Sequence, residues 1–220
     1  MLAVITAMQK EADALLVHAS VEKEYTLCGK KIWSAEAFGT KFCLVLAGVG
    51  KSNAAAATML SVSALKADKL LNFGVAGGIS EKTEIAKIFR ITRAVQYDFD
   101  LSEINGTLKG TLDEYDSPYI PLCEGKSAFP YASLATGDKL TNAPTDAPLF
   151  QTLGADIRDM EGAAIAHVAH FTGTPFFAYK SISNKIGGVS VSQYRQNLSR
   201  ALASLSENMG IIFREIGTSN

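Results

Sequence analysis

The chain has 220 residues, 47% hydrophobic and 20% charged, which is enough apolar material for one sizeable core and too little charge for disorder, so a single domain over residues 1–220 is expected. Its 21 basic and 22 acidic side chains are interspersed and sum to a net charge of -1, so it offers no basic face for nucleic acid or a membrane surface and points to a small neutral or zwitterionic partner. Cys28, Cys43 and Cys123 are an odd set without CxxC spacing, which argues against a disulfide framework or a zinc site and fits a reducing cytoplasm.

The opening segment MLAVITAMQKEADALL lacks a basic start, and Gln9, Lys10, Glu11 and Asp13 interrupt its apolar run before it could act as a signal or a span. It reads instead as a strand over Leu2 to Ala7 followed at once by a helix with Ala12, Leu15 and Leu16 on one face. Tyr25 to Cys28, Lys31 to Phe38 and Lys41 to Ala47 read as an antiparallel meander, separated by Gly29, Lys30 and Gly39. The turn at residues 48–51 leads into an alanine-rich helix over about Ser52 to Leu65. Lys69 to Phe73 is a buried strand that leads into Gly74-Val75-Ala76-Gly77-Gly78, where glycines let the backbone approach a ligand closely.

Ile88 to Val95 is a further strand, and residues 96 to 130 form a loop-rich excursion long enough to be functional or packed on a second subunit. Tyr131 to Thr136 returns to the sheet, Asp156 to Met160 runs into a helix over Gly162 to Phe171, and Pro175 to Ser183 is the last strand. The final helix, about Ser192 to Ile216, carries Tyr194, Leu198, Ala201, Leu202, Leu205, Met209, Ile212 and Ile216 on one stripe. Strands alternating with helices predict an α/β fold, a central mixed β-sheet with helices on both faces.

Ligands of open α/β sheets bind beyond the carboxyl ends of strands. The polar residues expected there are Glu11, the glycine segment 74–78, Asp159 to Glu161, and Ser183 with Asn184. Two carboxylates in one pocket, Glu11 and Glu161, can divide the activation of water from the gripping of hydroxyl groups. From spacing alone each reads more readily as a solvated first-turn helix residue favoured by the helix dipole. The glycine segment lacks the lysine of a P-loop and the GxGxxG pattern, so by itself it is a tight strand exit as readily as a ligand cradle. His167 and His170 lack an acidic third partner, and no metal ligand set is expected.

The strings AMQKEADALL at 7–16, AGVGKSNAAAAT at 47–58, NFGVAGG at 72–78, RDMEGAAIAHVAH at 158–170 and SISN at 181–184 resemble the methylthioadenosine/S-adenosylhomocysteine nucleosidase branch of the purine nucleoside phosphorylase superfamily. The resemblance runs through nearly the whole chain, in order. It implies a three-layer αβα fold of the phosphorylase/hydrolase type, a homodimer, a small purine nucleoside as substrate, and neither metal nor organic cofactor. It further implies that Glu11 activates the attacking water and that Glu161 accepts bonds from the ribose hydroxyls beside Met160. Met8 and Val49 match positions lining the sugar and its 5′ substituent, the main chain of Val75, Ala76 and Gly77 lies along sugar and base, and Leu140 packs on the purine. Asp159, Lys180 and Ser183 complete the implied binding set, with Asn184 at the base end.

Four residues depart from the adenine-specific pattern. Asn184 stands where those nucleosidases have aspartate and is similar to the asparagine of futalosine hydrolases, which release hypoxanthine, and of inosine/guanosine phosphorylases. An amide accepts from a protonated N7 and donates to a 6-oxo group, so a 6-oxopurine is expected. Val75 replaces a serine, Lys180 an arginine and Leu140 an aromatic residue. The resemblance also implies water rather than phosphate as nucleophile, because Glu11 and Asn72-Phe73 occupy the places of phosphate-clamping arginines. A phosphorylase and a nucleoside-binding protein with lost catalysis are the alternatives.

Overall fold

The computed structural model describes residues 1–139, 144–185 and 191–218. Strand β1 (Leu2–Thr6) is buried along its whole length and lies between two parallel neighbours, β4 (Thr40–Leu46) and β5 (Lys69–Gly78). Being buried on both faces explains why it reads as an unbroken apolar run. Outside β4, strands β3 (Lys30–Ala37) and β2 (Ser20–Leu27) continue as an antiparallel meander. The expected order holds in this half, although β2 starts five residues earlier than its apolar pattern suggests, because Ser20 to Glu24 are exposed on a sheet edge.

The other half curls. Along β5 runs β10 (Phe176–Lys185), parallel to it, and then β6 (Ile88–Gln96), antiparallel to β10. Next come β8 (Tyr131–Thr136) and the short β9 (Ile157–Asp159), whose far side pairs antiparallel with the end of β5. These five strands close a ring, so the sheet is mixed as expected but is not open at this end. The two-residue β7 (Ile120–Pro121) pairs with β6.

Helices cover both faces. The alanine-rich α2 (Lys51–Ser63) and α5 (Gly162–Thr172) sit on one, where Ala54, Ala57, Ala163 and Ala166 are buried against Ile5, Val45 and Leu134. Small side chains let these two helices lie close to the strands. On the other face α1 (Gln9–Leu16) and α6 (Val191–Thr218) bury Ala12, Leu15, Leu205, Met209 and Ile212 against Val4, Phe73 and Tyr179. The stripe read along α6 is the face it buries, from Leu198 to Ile216, with Leu202 half-buried.

Two expectations need correction. Residues 74–78 are not a turn after β5 but its last five residues, and β10 runs past Ser183 to include Asn184. The loop-rich excursion at 96–130 holds α3 (Ser102–Asn105) and β7. Between β8 and β9 a helix unforeseen in the pattern, α4 (Ala147–Leu153), starts with Pro148 in its first turn and buries Phe150 and Leu153 against Val95 and Tyr97. Seven residues are too few for helical periodicity to register.

Ile212 is fully buried between α6 and the sheet, so Ile212→Ala should lower stability by about 2–5 kcal/mol through lost burial and the cavity left behind. Chemical denaturation checks this, and a loss under about 1 kcal/mol would mean that the α6 face is not packed as described.

Candidate active site

The cleft exists because β5 changes neighbours. Its residues 69–72 pair with β1, and Gly77 and Gly78 pair with β9, while residues 73–76 have no strand on that edge among the described residues. A backbone N–H exposed by such a parting needs another acceptor. Glu11 supplies it: Oε1 accepts the Val75 N–H at 2.9 Å, and Oε2 accepts those of Ala7 and Met8 at 2.9 and 3.0 Å. The Met8 bond is also the reciprocal half of a capping box, because Met8 is the N-cap of α1 and Glu11 its third residue. Glycine is required at 74, where a Cβ would lie 2.5 Å from Glu11 Oε1.

Glu11 is therefore not a solvated helix residue; it is 3% exposed. Burial pushes its carboxyl above the usual carboxylate range, against the opposing pull of Lys180 and the three amides. A second buried group stands beside it. Lys180, on β10, lies 2.9 Å from Asp159 Oδ2 at the end of β9, and both side chains are 2% exposed. Asp159 also accepts the Thr136 hydroxyl at 2.6 Å and the Gly162 N–H at 2.9 Å, which ties it to the first turn of α5. Glu161 precedes that helix, is 6% exposed, and accepts the Gly50 N–H at 2.9 Å. The solvated reading of Glu161 is excluded as well.

Burial, then the like charge of Asp159, pushes the Glu161 carboxyl up to about 7. Burial works against the Lys180 ammonium, but Asp159, Glu161 and Glu11 together hold its pKa above the ordinary value. One ammonium thus faces three carboxylates, and with all four ionised the floor is net negative. Such a floor favours a cation in the cleft and repels an anion.

Sequence reasoning and structure meet in the lining of this cleft, a cavity of about 220 Å³. Met8, Glu11, Val49, Val75, Ala76, Gly77, Asp159, Met160, Glu161, Ser183 and Asn184 all border it. Lys180 lies behind that surface, on Asp159. Leu140 is outside the described residues. A bulge in β10 sets the far end: Ile182 pairs with Ala76 but Asn184 with Gly77, so Ser183 is the extra residue and Asn184 is turned over β5. The Ser183 hydroxyl donates to Asn184 Oδ1 at 3.2 Å and approaches the Ala76 carbonyl at 3.4 Å.

Lys139, Arg158 and Tyr194 also line the cleft and were not among the expected site residues. Tyr194, counted in the apolar stripe of α6, is half-buried at the cleft instead. The signal for Arg158 was present, since a cation in a short buried strand beside the DMEG string needs a reason to be there. Among the described residues no group of three or more His, Cys, Asp and Glu side chains is arranged to hold a metal ion, and no helix is long and apolar enough to cross a membrane.

A cleft at the carboxyl ends of β1 and β5, floored by buried charge, defines an α/β protein that handles a small ligand. The family model described as Phosphorylase superfamily matches residues 1–214, and the chain belongs to that superfamily. Its sequence is 27% identical over 228 residues to the 5′-methylthioadenosine/S-adenosylhomocysteine nucleosidase of Anoxybacillus flavithermus, with 98% of each chain covered. To the nucleosidase of the same name from Bacillus subtilis it is 28% identical over 219 residues, covering 94% of this chain and 95% of the other. Its fold is similar to that of the futalosine hydrolase of Helicobacter pylori strain 26695, with a TM-score of 0.89, 20% identity and 97% of both chains covered. It is similar also to the Neisseria meningitidis nucleosidase in complex with methylthio-immucillin-A, with a TM-score of 0.86, 22% identity, and 97% and 98% covered.

Removing Lys180 leaves three buried carboxylates without their cation, so Lys180→Met should cost about 3–5 kcal/mol near neutral pH. The sign of its pH dependence follows from the raised acids: a carboxyl that binds its proton more tightly folded than unfolded loses stability as pH rises. For Glu161 that window runs from 4.5 to about 7, and in the variant it widens upward. The penalty should therefore be smaller near pH 5.5 than near pH 8 in urea titrations, and an equal penalty at both would contradict the charge balance described.

Proposed function

We propose that this protein is a purine nucleoside N-ribohydrolase that cleaves the N-glycosidic bond with water and releases the free base. The observation that carries the reading is the Glu11 carboxylate, fixed by three backbone amides at the parting of β5 and buried beside the cleft. A base whose proton affinity is raised by burial is suited to taking a proton from water. The named activities of the nucleosidase relatives support the same chemistry.

In this scheme water attacks C1′ as the C1′–N9 bond breaks, Glu11 takes the proton from the water, and the purine leaves with the bonding electron pair. The sugar passes through a state with positive charge, which the carboxylates of Glu161 and Asp159 favour. Glu161 accepts bonds from the ribose hydroxyls, and Met160 lies against the sugar. Met8 and Val49 border the sugar and its 5′ substituent, and the main chain of Val75, Ala76 and Gly77 borders sugar and base. Lys180, held by Asp159, limits the repulsion among the acids so that Glu11 can ionise.

Asn184 meets the leaving base. The Ser183 hydroxyl donates to its Oδ1, and its Nδ2 donor, beside Gly77 at the cleft, favours a purine with an acceptor at position 6. The reading therefore takes a 6-oxopurine nucleoside as substrate. Among the described residues the cation nearest Glu11, Lys180, is held by Asp159, so phosphate meets net negative charge there and water is favoured. The reading also takes a homodimer in the cytoplasm. The exposed apolar side chains of Ile104 and Leu108 in the 96–130 excursion support the dimer.

A panel of 6-oxo and 6-amino nucleosides, followed by chromatography of the free base, tests the reading: hypoxanthine should be released, and release from no member would contradict it. Glu11→Gln should lower kcat by roughly 10² to 10⁴-fold while nucleoside still binds. In that variant binding should weaken as pH falls below neutrality, because Glu161, still raised by burial and Asp159 though no longer by Glu11, takes up a proton and loses acceptor capacity. Affinity by calorimetry that stays constant across this range would remove Glu161 from the ribose.

A further inference from the structure

Gly77 is the meeting point of three strands. On one edge of β5 it pairs with Arg158 of β9, and on the other with Asn184 of β10. Having no side chain, it lets both neighbours lean over it: a Cβ at this position would lie 3.2 Å from Arg158 Nε and 3.3 Å from Asn184 Nδ2. Both donors therefore lie over the same residue. Both border the cleft, and Arg158 is 6% exposed.

Position along β5 gives the rest. Glu11 is bound at the amide of Val75, and the Arg158–Asn184 pair stands at Gly77, two residues further on, about 7 Å at the rise of a strand. That is the distance scale from the reacting carbon of a nucleoside to the far ring of its base. The Glu11 end of the cleft thus carries three carboxylates, and the Gly77 end carries the Asn184 amide and the Arg158 guanidinium, which lies in the field of Tyr97 and Asp146. Breaking an N-glycosidic bond separates charge in this sense, positive on the sugar and negative on the purine.

We propose that Arg158 is a specificity-determining residue, whose guanidinium donates with Asn184 to the O6 and N7 edge of a 6-oxopurine and steadies the negative charge of that base as it leaves. This rests on the reading of the cleft as a purine nucleoside hydrolase. Guanidinium has donors and no acceptor. A 6-oxo group answers it with lone pairs, whereas a 6-amino group presents N–H toward N–H, a donor-to-donor clash that separates the two analogues. Gly77 is part of the device, because any side chain there would displace both donors.

The test compares kcat/KM for inosine and adenosine in the unmodified protein, Arg158→Met and Arg158→Lys, with calorimetric binding of free hypoxanthine and free adenine to each. The inosine-to-adenosine ratio should fall about 10 to 100-fold in Arg158→Met, hypoxanthine affinity should fall more than adenine affinity, and Arg158→Lys should recover part of both. A ratio within twofold of the unmodified protein, or equal loss on both substrates, overturns the proposal. Where the unmodified protein turns over neither these two nucleosides nor any other member of the nucleoside panel, the hydrolase reading fails on its own account. The binding arm then still decides on Arg158: selective loss of hypoxanthine supports it, and equal affinities in protein and variant overturn it. Thermal melts identify a variant that has not folded, in which case Arg158→Lys carries the comparison.

Discussion

The site depends on one buried ammonium shared among three carboxylates. Glu11, Asp159 and Glu161 come from α1, β9 and the entry to α5, and Lys180 offsets the mutual repulsion of their charges in a site removed from water. Each acid is also given hydrogen-bond donors by the backbone, from Val75 and the start of α1, from the first turn of α5, and from Gly50. These bonds fix where each charge points. The fold keeps the lysine on a central strand, Asp159 in contact with it, and the other two acids within reach of its field.

That arrangement follows from the topology. The parallel strands β1 and β5 part after Asn72, and the ring through β10, β6, β8 and β9 rejoins β5 at Gly77. Between the two lies a short length of β5 edge with its amides exposed to a cleft, which is where the polar residues gather. The bulge at Ser183 then turns Asn184 toward the same edge. A cleft that is negative at one end and donor-rich at the other matches the direction in which charge moves when a purine departs from its sugar.

Much of this was legible in the sequence. The apolar runs mark β1 and the first half of β5, the short runs parted by Gly29, Lys30 and Gly39 mark the meander, and the stripe of α6 marks its buried face, because each of these signals is local. Glu11, Glu161 and Asn184 stand out in the sequence because they follow strands and because their strings resemble a family. What could not be read was closure. Pairing of β9 with both β8 and β5 is decided by three residues, too few to carry a pattern, and α4 is hidden for the same reason. Without closure, Arg158 has no visible neighbour, and the glycines at 74 and 77 look like a turn rather than strand residues kept bare for Glu11, Arg158 and Asn184. Tyr194 was assigned to the core because helical spacing cannot tell a face that meets the sheet from one that overhangs a cleft.

The central claim is that a carboxylate-bound water, and not phosphate, receives the sugar. Base release in phosphate-free buffer and in buffer with added phosphate, with phosphorus NMR of the products, tests this most directly. The account predicts equal rates and free sugar as the product in both; turnover that requires phosphate and yields a sugar 1-phosphate would contradict it.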